Sequence, residues 1–488
     1  MIAVAASHLP NGKILLWSGE KTNHWGEVGT SLVSVWDPFA TTTNTTTSSS
    51  SMTLERMRVN HHNMFCPGTT HLADGRIMIT GGMDNWKTTF YDPVYDQWTA
   101  GPNMNINRGY QSQTMLQNGD VFVIGGSWLA FEECMGNKHG ELWSARTNTW
   151  RLLPKVPVDP FLTQDVEGAY RTDNHMWLFL APSGDRIFHA GPSTQMHWIT
   201  TEGEGSVTPS LQRGAYDAMN GNAVLYDIGK ILVVGGAPNY DNGTALDTAF
   251  LIDINGPGEA TVVQTESMST RRTFANSIVL PNGEVVTMGG TEEAHIFSDY
   301  LSVLHAELWS PVTQRWTQLE AMQSPRNYHS SALLLKDGRI MSGGGGLCAC
   351  EADHQDIEIL TPPYLYEYYT GGGGEQQRGG GRRQLAMRPE ILHTTVQTAA
   401  PGDTLDIIMD TPDAGHTFAL IKHSTYTHST NNDQRRIPLP VIVRRPETST
   451  FTVQIPANKN AVLAGMYFLF AMNGEGVPSI AEDFRIVV

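Results

Sequence analysis

The chain has 488 residues, enough for two to four domains and at least one large core. Lys plus Arg number 32 against 49 Asp plus Glu, a formal charge of −17, which leaves no dominant basic surface and argues against nucleic acid or an anionic membrane as a partner. Only 17% of residues are charged while 48 are glycine and 26 proline, the balance of a turn-rich β protein, and no apolar run approaches the roughly 20 residues that span a bilayer.

Taken in chain order, the N-terminal MIAVAASHLPNGKILLW has neither the basic n-region nor the continuous apolar h-region of a secretory signal. Its NGKILLWSG (11–19) is the first of seven recurrences of a turn dipeptide, an apolar strand and a glycine pair or near pair. The others are DGRIMITGG (74–82), NGDVFVIGG (118–126), GDRIFHAGP (184–192), GKILVVGG (229–236), NGEVVTMGG (282–290) and DGRIMSGGG (337–345). Each unit predicts two strands meeting at a tight turn, because Asn-Gly and Asp-Gly supply the positive φ that matches strand twist. Three units add a tryptophan on a later strand: Trp98, Trp150 and Trp316. A glycine pair followed by a tryptophan strand is the kelch pattern, whose four-stranded blades pack radially. The fold expected is all-β: a seven-bladed kelch β-propeller over residues 1–383, followed by a C-terminal immunoglobulin-like β-sandwich over 384–488. TTTNTTTSSSS (41–51) and GGGGEQQRGGGRR (371–383) bury no apolar surface and are expected as loops. Beyond the second, DTLDIIMD, HTFALIKH, STFTVQI and GMYFLFAMN are the sandwich strands.

Four cysteines, Cys66, Cys134, Cys348 and Cys350, contain no paired C-x-x-C elements of a zinc site. A disulfide between Cys348 and Cys350 is open either way, since C-x-C closure leaves little freedom for the preferred dihedral. Tyr328 and His329 fall in SPRNYHSS, and His423 and His428 in HSTYTHSTNNDQRR. Imidazole with phenolate suits Cu(II), but a hundred residues of separation say nothing about proximity.

The segments MFCPG (64–68), NRGYQS (108–112), GGSW (125–128), YRTDNHMW (170–177), RNYHS (326–330), GGGGLC (343–348), THSTNNDQRRIPL (427–439) and GVPSIA (476–481) resemble galactose oxidase and its fungal copper radical alcohol oxidase relatives, in the same order along nearly the whole chain. That family's architecture is a seven-bladed kelch propeller and a β-sandwich. The N-terminal carbohydrate-binding domain of galactose oxidase has no counterpart in the matched segments.

The resemblance implies one copper ion held by Tyr110, Tyr328, His329 and His428, with His428 reaching in from the sandwich. It implies a thioether between Cys66 and Tyr110 whose ring stores the radical, with Tyr328 accepting the alcohol proton and Trp128 shielding the radical from solvent. Arg171 would hydrogen-bond substrate hydroxyls, and Tyr240, Asp241, Phe297 and Trp25 would line the substrate pocket. Asp241 stands where galactose oxidase has glutamine, which removes an amide donor. Trp25 replaces a phenylalanine and offers a face for a benzyl or furan ring. The implied enzyme is a copper-dependent oxidase that converts primary alcohols to aldehydes and O2 to H2O2. It is expected to act as a secreted monomer, with usable sequons at Asn44 and Asn242. Two alternatives stand beside it: aldehyde oxidation of the glyoxal oxidase type, and a kelch binding module without catalysis.

Overall fold

A computed structural model describes residues 1–488 except 24–25, 27–28, 41–54, 60, 128–135, 167–170, 257, 370–381 and 488. Trp25, Trp128, Cys134, Asn44 and most of both expected loops therefore lie outside the described residues. Among those described, seven antiparallel sheets follow one another from Ala5 to Leu360. The repeated apolar run forms the second strand of each: Ile14–Trp17, Ile77–Thr80, Val121–Ile124, Ile187–Gly191, Lys230–Val234, Val285–Met288 and Ile340–Gly344.

The first strands are Ala5–His8, Gly68–His71, Ser112–Met115, Trp177–Leu180, Asn222–Asp227, Asn276–Val279 and Ser330–Leu334. From Gly68–His71 onward they touch in chain order, and the last meets Ala5–His8, which closes a propeller ring. The glycine pairs allow that closure. A Cβ on Gly81 would lie 2.2 Å from the Arg108 carbonyl oxygen of the next sheet, and one on Gly344 would lie 2.4 Å from that of Ala3, the same contact sealing the seventh sheet onto the first. Outer-strand tryptophans tie neighbours together: Trp150 Nε1 donates to the Pro102 carbonyl at 3.1 Å and Trp316 Nε1 to that of Glu266 at 2.8 Å.

Two sheets depart from the expected four strands. The first has five, because Thr425–Thr427 of the C-terminal region pairs antiparallel with Ala5–His8 on its inner edge. The seventh has three, ending at Ile357–Leu360, and the chain then forms a separate hairpin of Tyr366–Tyr369 and Arg382–Leu385.

The C-terminal sandwich stacks one sheet containing Thr404–Met409 and Thr450–Gln454 on another containing Thr417–Lys422 and Gly465–Met472. Alternation places Leu405, Ile407 and Met409 inward, with Phe451 of the same sheet, against Phe418, Leu420 and Leu469. Cys348 and Cys350 form a disulfide.

Where sandwich meets propeller, three buried histidines gather. His423 lies 5.3 Å from His8 and 6.1 Å from His71 between ring centroids. Nearby Lys422 pairs with Asp433 at 3.3 Å. Burial pulls His8 down to about 4 and His71 to about 3. The unfolded imidazoles take protons near 6.5, which the folded ones resist, so this stability is present above that value and is lost as pH falls through 4 towards 3. For His8 the difference is roughly 3 kcal/mol. The urea midpoint should therefore fall steadily between pH 6.5 and pH 4, and more shallowly in His8→Gln. Equal slopes in the two proteins would remove His8 from the explanation.

Candidate metal centre

The centre is built from one backbone device used repeatedly. Five sheets place a residue with left-handed backbone two positions before their first strand: Cys66 (φ 59°), Tyr110 (62°), His175 (54°), Asn220 (54°) and Phe274 (58°). In the seventh sheet His329 (71°) takes that conformation one position before the strand. Side chains other than glycine seldom adopt it, and such residues cluster at functional sites. Backbone bonds link successive turns: the Tyr110 amide donates to the Cys66 carbonyl at 2.9 Å and the His175 amide to that of Tyr110 at 3.0 Å. The first sheet contributes through its added inner strand instead, since His428 (φ 49°) directly follows Thr425–Thr427.

Behind three of these turns a buried arginine holds the sheet. Arg108 pairs with Glu141 at 3.1 Å, Arg272 with Glu307 at 2.6 Å, and Arg326 with Asp356 at 2.6 Å. Each precedes Tyr110, Phe274 or Tyr328 by two residues, so NRGYQS, RRTFANS and PRNYHSS are one recurring element.

The hydroxyls of Tyr110 and Tyr328 are 2.8 Å apart. Cys66 Sγ lies 3.0 Å from His428 Nε2 and 3.9 Å from His329 Nε2, and these three donor atoms form one compact buried group. Both imidazoles are held by their other nitrogen. His329 Nδ1–H donates to the Gly346 carbonyl at 2.5 Å. The Thr427 hydroxyl gives its hydrogen to the Val4 carbonyl at 3.3 Å, so His428 Nδ1–H donates to Thr427 Oγ1 at 2.6 Å. Each Nε2 lone pair is left facing the centre, the usual way a backing acceptor fixes a ligand histidine.

Burial sets the charge state. It pulls His329 down to about 3 and His428 well below its ordinary value, so both are neutral, as metal ligands must be. Burial also pushes the Tyr328 and Tyr110 phenols and the Cys66 thiol well above their ordinary values. A bound divalent cation reverses that preference for the phenols. Two neutral imidazoles beside a pair of phenol oxygens fit Cu(II) by donor type.

The other expected site residues surround this group. Phe297 places its ring 5.3 Å from Tyr328 and 5.4 Å from His329. The Arg171 guanidinium lies over the Tyr240 ring at 5.3 Å and approaches Asp241 at 3.9 Å. Tyr240 is only 3% exposed and donates its hydroxyl to Tyr328 at 3.1 Å, which places it behind the centre rather than on the open rim. His175, Phe274, Thr427 and Gly346 were missed by sequence reasoning. For Phe274 the signal lay in the recurring R-x-[YF] element; the others show only in three dimensions.

Fold and centre together describe a β-propeller and a β-sandwich whose side chains share one buried group of potential metal donors. Residues 388–486 match the galactose oxidase-like Early set domain, and 218–350 the glyoxal oxidase N-terminus. A galactose oxidase of Gibberella zeae is 39% identical over 99% of this chain and 68% of its own length. A solved fungal alcohol oxidase of the AA5 family, in complex with copper, superposes with a TM-score of 0.89 at 35% identity, covering 100% of this chain and 98% of the other. An aldehyde oxidase of Arabidopsis thaliana is 24% identical over 87% of this chain and 71% of its own. The chain belongs to the galactose oxidase family.

Proposed function

We propose that this protein is a copper radical oxidase that converts primary alcohols to aldehydes and O2 to H2O2. The observation that carries the reading is the buried group of Cys66 Sγ, His329 Nε2 and His428 Nε2, beside which the Tyr110 and Tyr328 hydroxyls meet, with the Tyr328 ring 3.9 Å from His329 and the Tyr110 ring 5.1 Å from His428. Its likeness to a galactose oxidase and to a copper-bound fungal alcohol oxidase supports it. Tyr110, Tyr328, His329 and His428 hold the metal. Copper, when bound, supplies Lewis acidity towards the alcohol oxygen and a one-electron acceptor.

The remaining chemistry belongs to the chain. Tyr328 oxygen takes the hydroxyl proton as general base. Cys66, packed against the half-buried Tyr110, forms a thioether that replaces the thiol S–H and a ring C–H, both hydrogens leaving to dioxygen. The linked ring, oxidised by one electron with dioxygen as the oxidant, then removes the carbinol hydrogen atom as a radical, and dioxygen finally takes both hydrogens of the alcohol as H2O2. Phe297 offers an apolar face to the substrate; by family resemblance alone, Trp128 is assigned to shielding that ring and Trp25 to the pocket. A disulfide-bonded chain suits a secreted protein.

The Arg171–Asp241 pair turns the pocket away from sugars. Asp241 draws on the guanidinium that would otherwise bind vicinal hydroxyls, and also accepts the Ile296 amide at 3.3 Å. Benzylic and furanic alcohols are accordingly the favoured class, with aliphatic and galactose-type alcohols behind. In Asp241→Gln the ratio of kcat/KM for galactose to that for benzyl alcohol should rise about tenfold, the worth of one regained hydrogen bond. An unchanged ratio would remove Asp241 from specificity.

The test of the reading is peroxide release from copper-loaded protein on galactose, benzyl alcohol, hydroxymethylfurfural, butanol and methylglyoxal, with and without chelation. Chelator-sensitive turnover of alcohols supports it. The match to the glyoxal oxidase N-terminus favours a second reading, aldehyde oxidation, which activity on methylglyoxal alone would establish. No peroxide from any substrate would leave a binding module.

A further inference from the structure

His175 is 5% exposed and belongs to the same left-handed series as Cys66, Tyr110 and His329, yet the chemistry above does not use it. Its ring lies nearly parallel to His428, 15° between planes and 5.2 Å between centroids, and stands edge-on to Tyr110 at 5.0 Å and 89°. His175 Nε2 is 3.0 Å from the Tyr240 hydroxyl. The Tyr240 hydrogen is already committed to Tyr328, so His175 must be the donor in that pair. A neutral imidazole has one N–H, so the tautomer is fixed as Nε2–H. The Tyr328 oxygen lies 2.8 Å from that of Tyr110, and either hydroxyl of this pair can be the donor. The result is a one-way chain: His175 to Tyr240 to Tyr328.

Resting on the oxidase reading, we propose that His175 is a positioning residue that braces the centre from both domains: it stacks on His428 from the sandwich side and roots the hydrogen-bond chain that orients Tyr328 within the propeller. Tyr240 is the intermediate member of that chain. Without the His175 donor, the Tyr240 hydroxyl is free to rotate away from Tyr328, which then loses the donor that fixes its oxygen. Ligand number is unchanged; the direction from which the Tyr328 oxygen meets metal and substrate is what shifts.

Three variants test this in copper-loaded protein: His175→Phe, which keeps a ring to stack but no donor, His175→Gln, which keeps a donor but no ring, and Tyr240→Phe. In His175→Phe, copper content should stay near that of the parent, the Cu(II) electron paramagnetic resonance spectrum should change, and kcat should fall about tenfold to a hundredfold with KM within about twofold. His175→Gln should recover most of the lost kcat. The double variant His175→Phe/Tyr240→Phe should be no worse than the poorer single, because both interrupt one chain.

A parental spectrum and kcat in His175→Phe would overturn the proposal, as would multiplicative losses in the double variant. Loss of copper from His175→Phe would also overturn it, by making the residue a general support of the fold. The spectrum is readable whether or not the parent turns over any alcohol. Failure of the oxidase reading therefore shows as a parent without peroxide, and failure of this inference as an unaltered spectrum.

Discussion

His428→Ala lowers copper affinity more than about a hundredfold and reduces alcohol turnover to background, while the propeller and the sandwich remain folded. The expectation follows from where the imidazole comes from. His428 is donated by a segment that pairs with the first sheet only through Thr425–Thr427, and those strand bonds do not involve its side chain. Removing an outer partner of a metal-ligating histidine typically costs 10- to 100-fold in affinity, and removing the ligand itself exceeds that. Thr427→Val, which deletes the acceptor for His428 Nδ1, should fall in the 10- to 100-fold range and so lie between parent and His428→Ala. Competition against a chelator of known affinity orders the three proteins. Retention of near-stoichiometric copper by His428→Ala would show that the sandwich does not complete the site.

The largest effect on stability is expected from Arg272→Leu. Arg272 and Glu307 are each 1% exposed at the side chain and meet at 2.6 Å. The guanidinium also donates to the carbonyls of Gly289 at 3.2 Å and His305 at 3.1 Å. Leucine fills part of the space but leaves a carboxylate in the interior without its cation, for which the cost is about 3–5 kcal/mol. Glu307 still accepts the Ser269 amide at 2.7 Å and the Thr270 amide at 3.3 Å, so deleting it outright would orphan two donors. The informative partner is Glu307→Gln, which removes the charge and keeps an acceptor. The double variant Arg272→Leu/Glu307→Gln should be more stable than Arg272→Leu alone, measured as the midpoint of urea unfolding. A double variant less stable than the single would mean that the geometry of the pair, not its unpaired charge, decides the cost.

Much of the fold was legible because its signals are local. A turn dipeptide, an apolar strand and a glycine pair occupy fewer than a dozen consecutive residues, and each of the seven runs became a second strand. Alternation in DTLDIIMD likewise marked a sandwich strand, and its Leu405, Ile407 and Met409 are core. The fifth strand of the first sheet was not legible, since Thr425–Thr427 pairs with residues more than four hundred positions away. The metal-centre residues were named through family resemblance, and the residues alone left Tyr328, His329 and His428 as unconnected possibilities. His175 escaped because a histidine in YRTDNHMW differs from any structural histidine only by its register relative to Trp177, which no periodicity reports.

The sequence by itself determined an all-β chain, the repeat that builds the propeller sheets and the set of donors available for a metal. Those follow from backbone preferences and apolar alternation, which act over a few residues and survive in any context. Only the tertiary structure decided that Cys66, Tyr110, His175 and His329 share one turn conformation at one end of the axis, that Gly346 and Thr427 hold each Nδ1 so that Nε2 faces the centre, and that Asp241 approaches Arg171. These arrangements join groups from different sheets and from both domains. Their energies exist only once ring closure and the inserted strand have brought distant segments within hydrogen-bonding distance.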